Sequence, residues 1–440
     1  MDRRSLLKSA AMAAASVPLQ AFLARVEAAP KRNSVGYGRL RQTLDGTTGL
    51  PLLLLPSGFR YVTFGWQGDP MDDGVPTPGL HDGMAAFAAG PGRTRLVRNH
   101  EIGQGAPFCG ARYDTAGGGG TTTLEFDTQN GALVASNASL SGTVRNCAGG
   151  PTPWGTWLSC EETTEFANRP HGYVFEVPSD RSLASAVALT AMGRFRHEAV
   201  AVDPVTGYVY ETEDNAATSG FYRFVPNTPG VLANGGQLFM LKVKNASQAN
   251  LGASYANGTT FAVEWVPIAT PDNPSSSAPA DAVWSQGRAL GAATFARLEG
   301  CSYGNDRKIY VVSTTGGATQ GQVWTYDPAA ETITLLFQSP GANVLNMPDN
   351  MTVSPRGGLV LCEDGDGLEY LHGLTVNGEI FRFAQNNVKL SGQRNGISGD
   401  FTSSEWCGVC YSADGQWLFA NIQNPGITFA ITGPWGTGGL

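Results

Sequence analysis

His197-Glu-Ala-Val-Ala-Val202, Asp203-Pro-Val-Thr-Gly207, Tyr208-Val-Tyr-Glu-Thr-Glu-Asp214: two short apolar runs flank a turn and end on acids. β-Branched and aromatic residues favour strands, and Asp-Pro followed by Gly is turn chemistry. The stretch therefore reads as a β-hairpin, which brings its outer ends side by side. The same unit recurs from Asp82 to Glu101, Asn146 to Glu162, Leu298 to Thr314, Pro348 to Asp364 and Glu405 to Ile422. Further strand-like runs follow, such as Gly172–Val177, Gly220–Phe224, Gln322–Asp327 and Gly378–Phe383. Hairpin plus outer strands, repeated six times, predicts an all-β, six-bladed β-propeller. The marked ends would gather at one mouth of its central channel. The widest gap between copies holds Asn215–Leu290, which reads as outer strands plus an insertion over that mouth.

Composition agrees with many short strands. Of 440 residues, 57 are Gly and 26 Pro, and only 15% are charged, which excludes a coiled coil, a long-helix bundle and a disordered chain. A net charge of -8 argues against nucleic acid or an anionic membrane surface as partner.

Residues 1–28 stand apart from the repeats, which leaves 29–440 as a single domain. Arg3-Arg4-Ser5-Leu6-Leu7-Lys8, an uncharged run from Ser9 to Ala24, and Val26-Glu27-Ala28 read as a twin-arginine signal with its cleavage pattern. The expected partner during export is the twin-arginine translocase, and the expected location is periplasmic or secreted, without stable membrane association. That route carries folded proteins, which suits a cofactor loaded beforehand. Seven cysteines are an odd number, so at least one thiol is left over. Cys407-Gly-Val-Cys410 alternates like a strand and reads as core packing.

Cys147 and Glu162, Glu198 and Glu213, and Asp349 and Asp364 are each 15 apart, which predicts that each pair shares one hairpin end. The channel end also collects Asp82, His100, Glu101, Glu161, Glu211, Asp214, Glu299 and Glu363. So many carboxylates at close quarters call for cations. Hard oxygen ligands suit Ca2+, whereas a thiolate at Cys147 calls for a softer transition metal, iron before zinc. Arg297, two residues before Glu299, is a natural phosphate fork, with Arg145 and Arg98 as weaker candidates. His197 reads as a ligand or a ligand's support, and His81 and His171 read as structural. Walker A, GxGxxG, HExxH and GxSxG patterns are absent from the sequence.

At Asn99-His-Glu101, Asn146 to Glu162, Arg196-His-Glu-Ala199, Glu211-Thr-Glu-Asp214, Arg297-Leu-Glu-Gly300, Asp349-Asn-Met351 and Ala413 to Ile422, the sequence resembles the PhoX-type alkaline phosphatases. The resemblance implies an exported propeller with an iron–calcium (Fe3+, Ca2+) cluster that cleaves small phosphomonoesters. By it Cys147 looks like the iron thiolate ligand, and Glu198, Glu213 and Glu299 look like metal ligands. Glu161, Glu162, Asp349, Glu363 and Asp364 fall in similar motifs. Arg297 looks like the phosphate-binding arginine, and Asn99 and Cys147 complete the catalytic set. The family also implies a basic residue beside the thiolate motif, where Arg145 is the neighbour. A monomer is expected. Two other readings stay open: a calcium-stabilised propeller that binds a ligand without turnover, and a calcium-dependent lactonase, which needs a base such as a histidine at the mouth.

Overall fold

Turn chemistry sets each predicted hairpin. In the first quoted, the Asp203 carboxylate accepts from Val205 N (2.9 Å) and Thr206 Oγ1 (2.7 Å), Gly207 N bonds back to Asp203 O, and Gly207 takes φ +72°. Such Asx turns reverse the chain and leave Gly at the position that needs φ > 0.

The computed structural model describes residues 35–440 apart from 166, 217, 274–281 and 319. The signal peptide expected at 1–28 lies outside the described residues. Gly36–Leu440 form one compact unit. It is all-β and propeller-like, built of antiparallel meanders that each begin with one of the hairpins. The first is His81–Ala88, Arg93–His100, Gly119–Asp127 and Ala132–Thr143, and the second Asn146–Pro151, Thr156–Glu161 and Val174–Pro178. The third is His197–Val202, Val209–Glu213, Phe221–Pro226 and Gly236–Val243. The fourth is Leu298–Tyr303, Ile309–Ser313, Gln322–Asp327 and Thr332–Gln338, and Thr260–Pro267 pairs with the outer strands of both, joining the two into one nine-stranded sheet. The fifth runs from Pro348–Val353 to Ile380–Asn386, and the chain's early strands Leu53–Pro56 and Leu40–Thr43 extend it. The last is Trp406–Tyr411, Leu418–Ile422 and Ile427–Thr432, completed by Arg60–Phe64 from the other end of the chain.

Leading strands pack side by side in chain order, and Trp406–Tyr411 returns against His81–Ala88 to close a ring. Between neighbouring meanders lie separate apolar clusters. Ala85, Val97, Trp157 and Phe175 fill one, and Tyr210, Phe221, Trp324 and Tyr326 fill another. Faces buried on both sides explain why the inner strands are so uniformly apolar below their ends.

All six leading strands carry a β-bulge at the same end. His81 pairs with His100 and Met84 with Arg98, so three residues advance on one strand against two on its partner. The same slip follows Asn146, His197, Leu298, Pro348 and Cys407. A bulge re-aims a side chain at a sheet's end. Just after the regular pairs it presents Asp82, Cys147, Glu198, Glu299 and Asp349, with Cys407 at the equivalent place.

Candidate metal centre and phosphate site

Those bulges open on a cavity of about 240 Å³, lined by Asp82, Glu101, Arg145, Cys147, Glu162, Arg196, Glu198, Asp214, Arg297, Glu299, Asp349, Asp364, Glu405 and Gln423. Three positions of the repeat supply all of them. The leading strand gives its bulge residue, the second strand gives the residue after its last pair (Glu101, Glu162, Asp214, Asp364, Gln423), and the residue before the leading strand gives Arg145, Arg196, Arg297 and Glu405.

Nine carboxylates therefore face three guanidiniums. Burial, compounded by neighbouring carboxylates, pushes Asp82, Glu198, Glu299, Asp349 and Glu405 well above the usual carboxyl range. Glu162 rises to about 7 by burial, against the pull of Arg196. Burial, then Glu198, also raises the Cys147 thiol, which contacts the His197 carbonyl at 3.2 Å. Ligand atoms of Glu198, Glu299 and Asp349 lie within 4.8 Å of one another, as do those of Asp349, Asp364 and Glu405, and of Asp82, Glu405 and Cys407. Such a donor set, oxygen-rich with thiols at its edge, fits divalent or trivalent cations, which would restore the ionised forms.

Seven of the predicted site residues meet here: Cys147, Glu162, Glu198, Glu299, Asp349, Asp364 and Arg297. Four do not. Glu161 accepts from Val144 N (2.8 Å), Gly172 N (2.8 Å), Tyr173 N (3.2 Å) and pairs with His171 Nδ1 (2.6 Å). Glu213 takes Gly220 N (3.1 Å) and Tyr222 Oη (2.6 Å). Glu363 takes Asn346 N (2.8 Å) and Tyr370 N (3.1 Å) and lies 2.8 Å from His372 Nε2. Each is paired with the first residue of its leading strand, one place before the cavity position, so alternation turns it to the other face. These three carboxylates brace loops. Asn99 is also buried away from the cavity: its Nδ2 donates to Cys147 O (3.1 Å) and Ala148 O (2.7 Å), and its Oδ1 accepts from Trp157 and Ser159. Its place is beneath the thiol, holding the bulge in shape.

Other expectations shift too. Arg98 is fully buried and donates to Gly65 O, Thr122 and Thr428, so it is no phosphate candidate. None of the five histidines lines the cavity; His197 stacks on Phe195 and lies 3.3 Å from buried Glu211. No described residue of 215–290 lines it either. Cys407, expected in the core, is buried as such, yet its sulfur lies with Asp82 and Glu405. Arg196 and Glu405 were legible: each stands two residues before a bulge residue, as Arg297 stands before Glu299.

Arg297 is held by Asp214 through Nε (2.9 Å) and Nη2 (3.1 Å) and by Glu299 through Nη2 (2.6 Å). Its φ of +49°, like the +54° of Arg145, is a left-handed conformation uncommon outside Gly. The turn aims both side chains across the end of their strands.

The sequence matches the family described as Alkaline phosphatase PhoX over residues 35–138 and 119–426. The chain belongs to that family. It is a phosphatase. Its fold is similar to that of Pseudomonas fluorescens PhoX in complex with vanadate, a transition state analogue, with a TM-score of 0.65 and 18% identity over 91% of this chain and 99% of that one. More distant likenesses include the gluconolactonase XC5397 of Xanthomonas campestris (TM-score 0.45, 12% identity, 87% and 89% covered) and a calcium-binding regucalcin of Agrobacterium tumefaciens (0.40, 11%, 84% and 96%). No curated protein sequence matches significantly.

Proposed function

We propose that the chain is a six-bladed propeller phosphomonoesterase that holds an iron–calcium cluster in its acidic cavity and works after twin-arginine export, as a periplasmic or secreted monomer. The observation that carries the reading is the excess of nine carboxylates over three guanidiniums around a buried thiol. Cys147 would favour iron, with Glu198, Glu299 and Asp349 beside it; Asp82, Asp364 and Glu405 would hold calcium. Bound there, the ions would supply Lewis acidity toward the phosphoryl group and the attacking water.

The chain's own residues do the rest. Among the described residues Arg297 Nη1 has no hydrogen-bond partner, so its planar fork can take a phosphoryl oxygen while Asp214 fixes its plane. A guanidinium preset in this way stabilises charge as it grows on phosphorus, with no reorganisation to bring about. Asn99 and the His197 carbonyl fix the Cys147 backbone and sulfur. A binding propeller needs neither the thiol nor Arg297 at the mouth, and a lactonase of the kind considered has no histidine there to act as base.

The test is metal analysis of protein exported by its own signal, with turnover of 4-nitrophenyl phosphate, on wild type and Cys147→Ala. Iron, calcium and turnover, with iron and turnover lost in the variant, support the reading. Calcium alone, no turnover and an indifferent variant would sink it.

A further inference from the structure

The cavity is not electrically uniform around its axis. On one side runs an alternating chain of charges: Glu101, Arg145, Glu162, Arg196, Asp214, Arg297, Glu299. Arg145 reaches Glu101 at 3.3 Å and Glu162 at 3.7 Å, Arg196 hydrogen-bonds Glu162 and lies 3.7 Å from Asp214, and Arg297 bonds Asp214 and Glu299. At the same repeat position, the other three meanders place Leu80, Met347 and Glu405. The arginines thus share one half of the wall, and among the described residues no ion pair within 4.0 Å reaches Asp82, Asp349, Asp364 or Glu405 opposite.

In the reading above, Arg297 takes the scissile phosphoryl group. Arg145 and Arg196 are surplus to that task, yet they are built into the cavity. Among the described residues, the buried Nε of Arg196 has no hydrogen-bond partner, and its Nη1 has none either. Arg145 Nη1 has no hydrogen-bond partner among the described residues, and the bonds of Nε and Nη2 to Glu101 are long, at 3.4 and 3.3 Å. The side chains of Arg145 and Arg196 are 45% and 40% exposed, against 24% for Arg297. They stand toward solvent, where the rest of an ester bound at Arg297 would extend. Arg196 and Arg297 approach the same oxygen of Asp214, at 3.7 and 3.1 Å, so their guanidiniums lie within the span of one small doubly anionic molecule. Buried donors without acceptors are uncommon, because each forfeits its hydration.

We propose that Arg196, assisted by Arg145, receives a second anionic group of the substrate. The preferred esters are then those that carry a carboxylate or another phosphate a few atoms from the scissile phosphate. This rests on the phosphatase reading and narrows it to a substrate class.

Two near-isosteric esters provide the test: glycerol 3-phosphate, and 3-phosphoglycerate, which adds a carboxylate. For the metal-loaded wild-type enzyme, kcat/KM for 3-phosphoglycerate should exceed that for glycerol 3-phosphate by about tenfold, mostly through KM, as one charge-assisted contact provides. In Arg145→Gln/Arg196→Gln that ratio should fall to about one, and Arg196→Lys should retain part of it. Independently of any variant, phosphonoacetate should inhibit the wild-type enzyme about tenfold more strongly than methylphosphonate. A wild-type ratio near one, or a ratio unmoved in the double variant, would overturn the proposal while leaving the phosphatase reading intact. Failure of the metal-loaded enzyme to turn over either ester or 4-nitrophenyl phosphate would overturn both.

Discussion

Glu161 and Glu162 are adjacent, both acidic and both buried, and the structure gives them opposite jobs. In Glu161→Ala, three backbone N–H groups (Val144, Gly172, Tyr173) lose their acceptor in a region closed to water. Leaving a buried donor unsatisfied costs about 1–3 kcal/mol, so the three together should cost about 3–9 kcal/mol. That is a large part of the ~5–15 kcal/mol that holds a typical domain together. Glu162→Ala removes one of nine crowded carboxylates, and Arg196 keeps Asp214 nearby at 3.7 Å. Its effect on the metal-free protein should stay within about 1 kcal/mol. The assay is urea denaturation after chelation, followed by metal titration with the content read by mass spectrometry. Glu161→Ala should unfold at much lower urea, yet bind its full complement of metal under folding conditions. Glu162→Ala should unfold like wild type and bind less. The reasoning is refuted if Glu161→Ala keeps the wild-type midpoint but loses metal.

Further outcomes follow from the same geometry. Arg297→Lys keeps the charge and loses the fork, so kcat/KM for 4-nitrophenyl phosphate should drop about 10²-fold. Asn99→Leu frees two carbonyls and strands the Trp157 and Ser159 donors; a loss of about 2–4 kcal/mol in urea unfolding is expected, with lowered turnover. Carboxyls raised by burial bind more protons folded than unfolded, so metal-free protein should lose stability as pH rises from about 4 toward 8, whereas metal-loaded protein should not; thermal unfolding across that range checks it. Burial lowers the affinity of His171 for a proton, but Glu161 and Asp114 outweigh it and raise its pKa. Its contribution is therefore full below about pH 6.5 and lost as pH climbs through the raised value. His171→Gln should flatten that part of the stability curve, measured as the difference from wild type.

The hairpins could be read from sequence because turn chemistry and alternation are local. The face of each end residue is not local, since it depends on register. A uniform spacing of 15 fits Asn146 with Glu161 and Pro348 with Glu363, which places Glu162 and Asp364 correctly beside the bulges. The third hairpin pairs His197 with Glu213, at a spacing of 16, so the cavity residue is Asp214. One residue of turn length moved the expected ligand to the wrong face. Asn99 was found by its motif, but its four hydrogen bonds run between strands distant in sequence. Arg196 stands two residues before Glu198, as Arg297 stands before Glu299, so aligning the copies on those acids marks the position from sequence.

Each meander contributes residues to the cavity, and the last meander is completed by Arg60–Phe64 from the opposite end of the chain. The cavity's lining runs from Asp82 to Gln423, so a fragment that stops short of either residue lacks part of the site. On the proposed metal reading, a chain cut short before Glu405 and Gln423 would lack part of the donor set, so metal content would report whether the ring had closed.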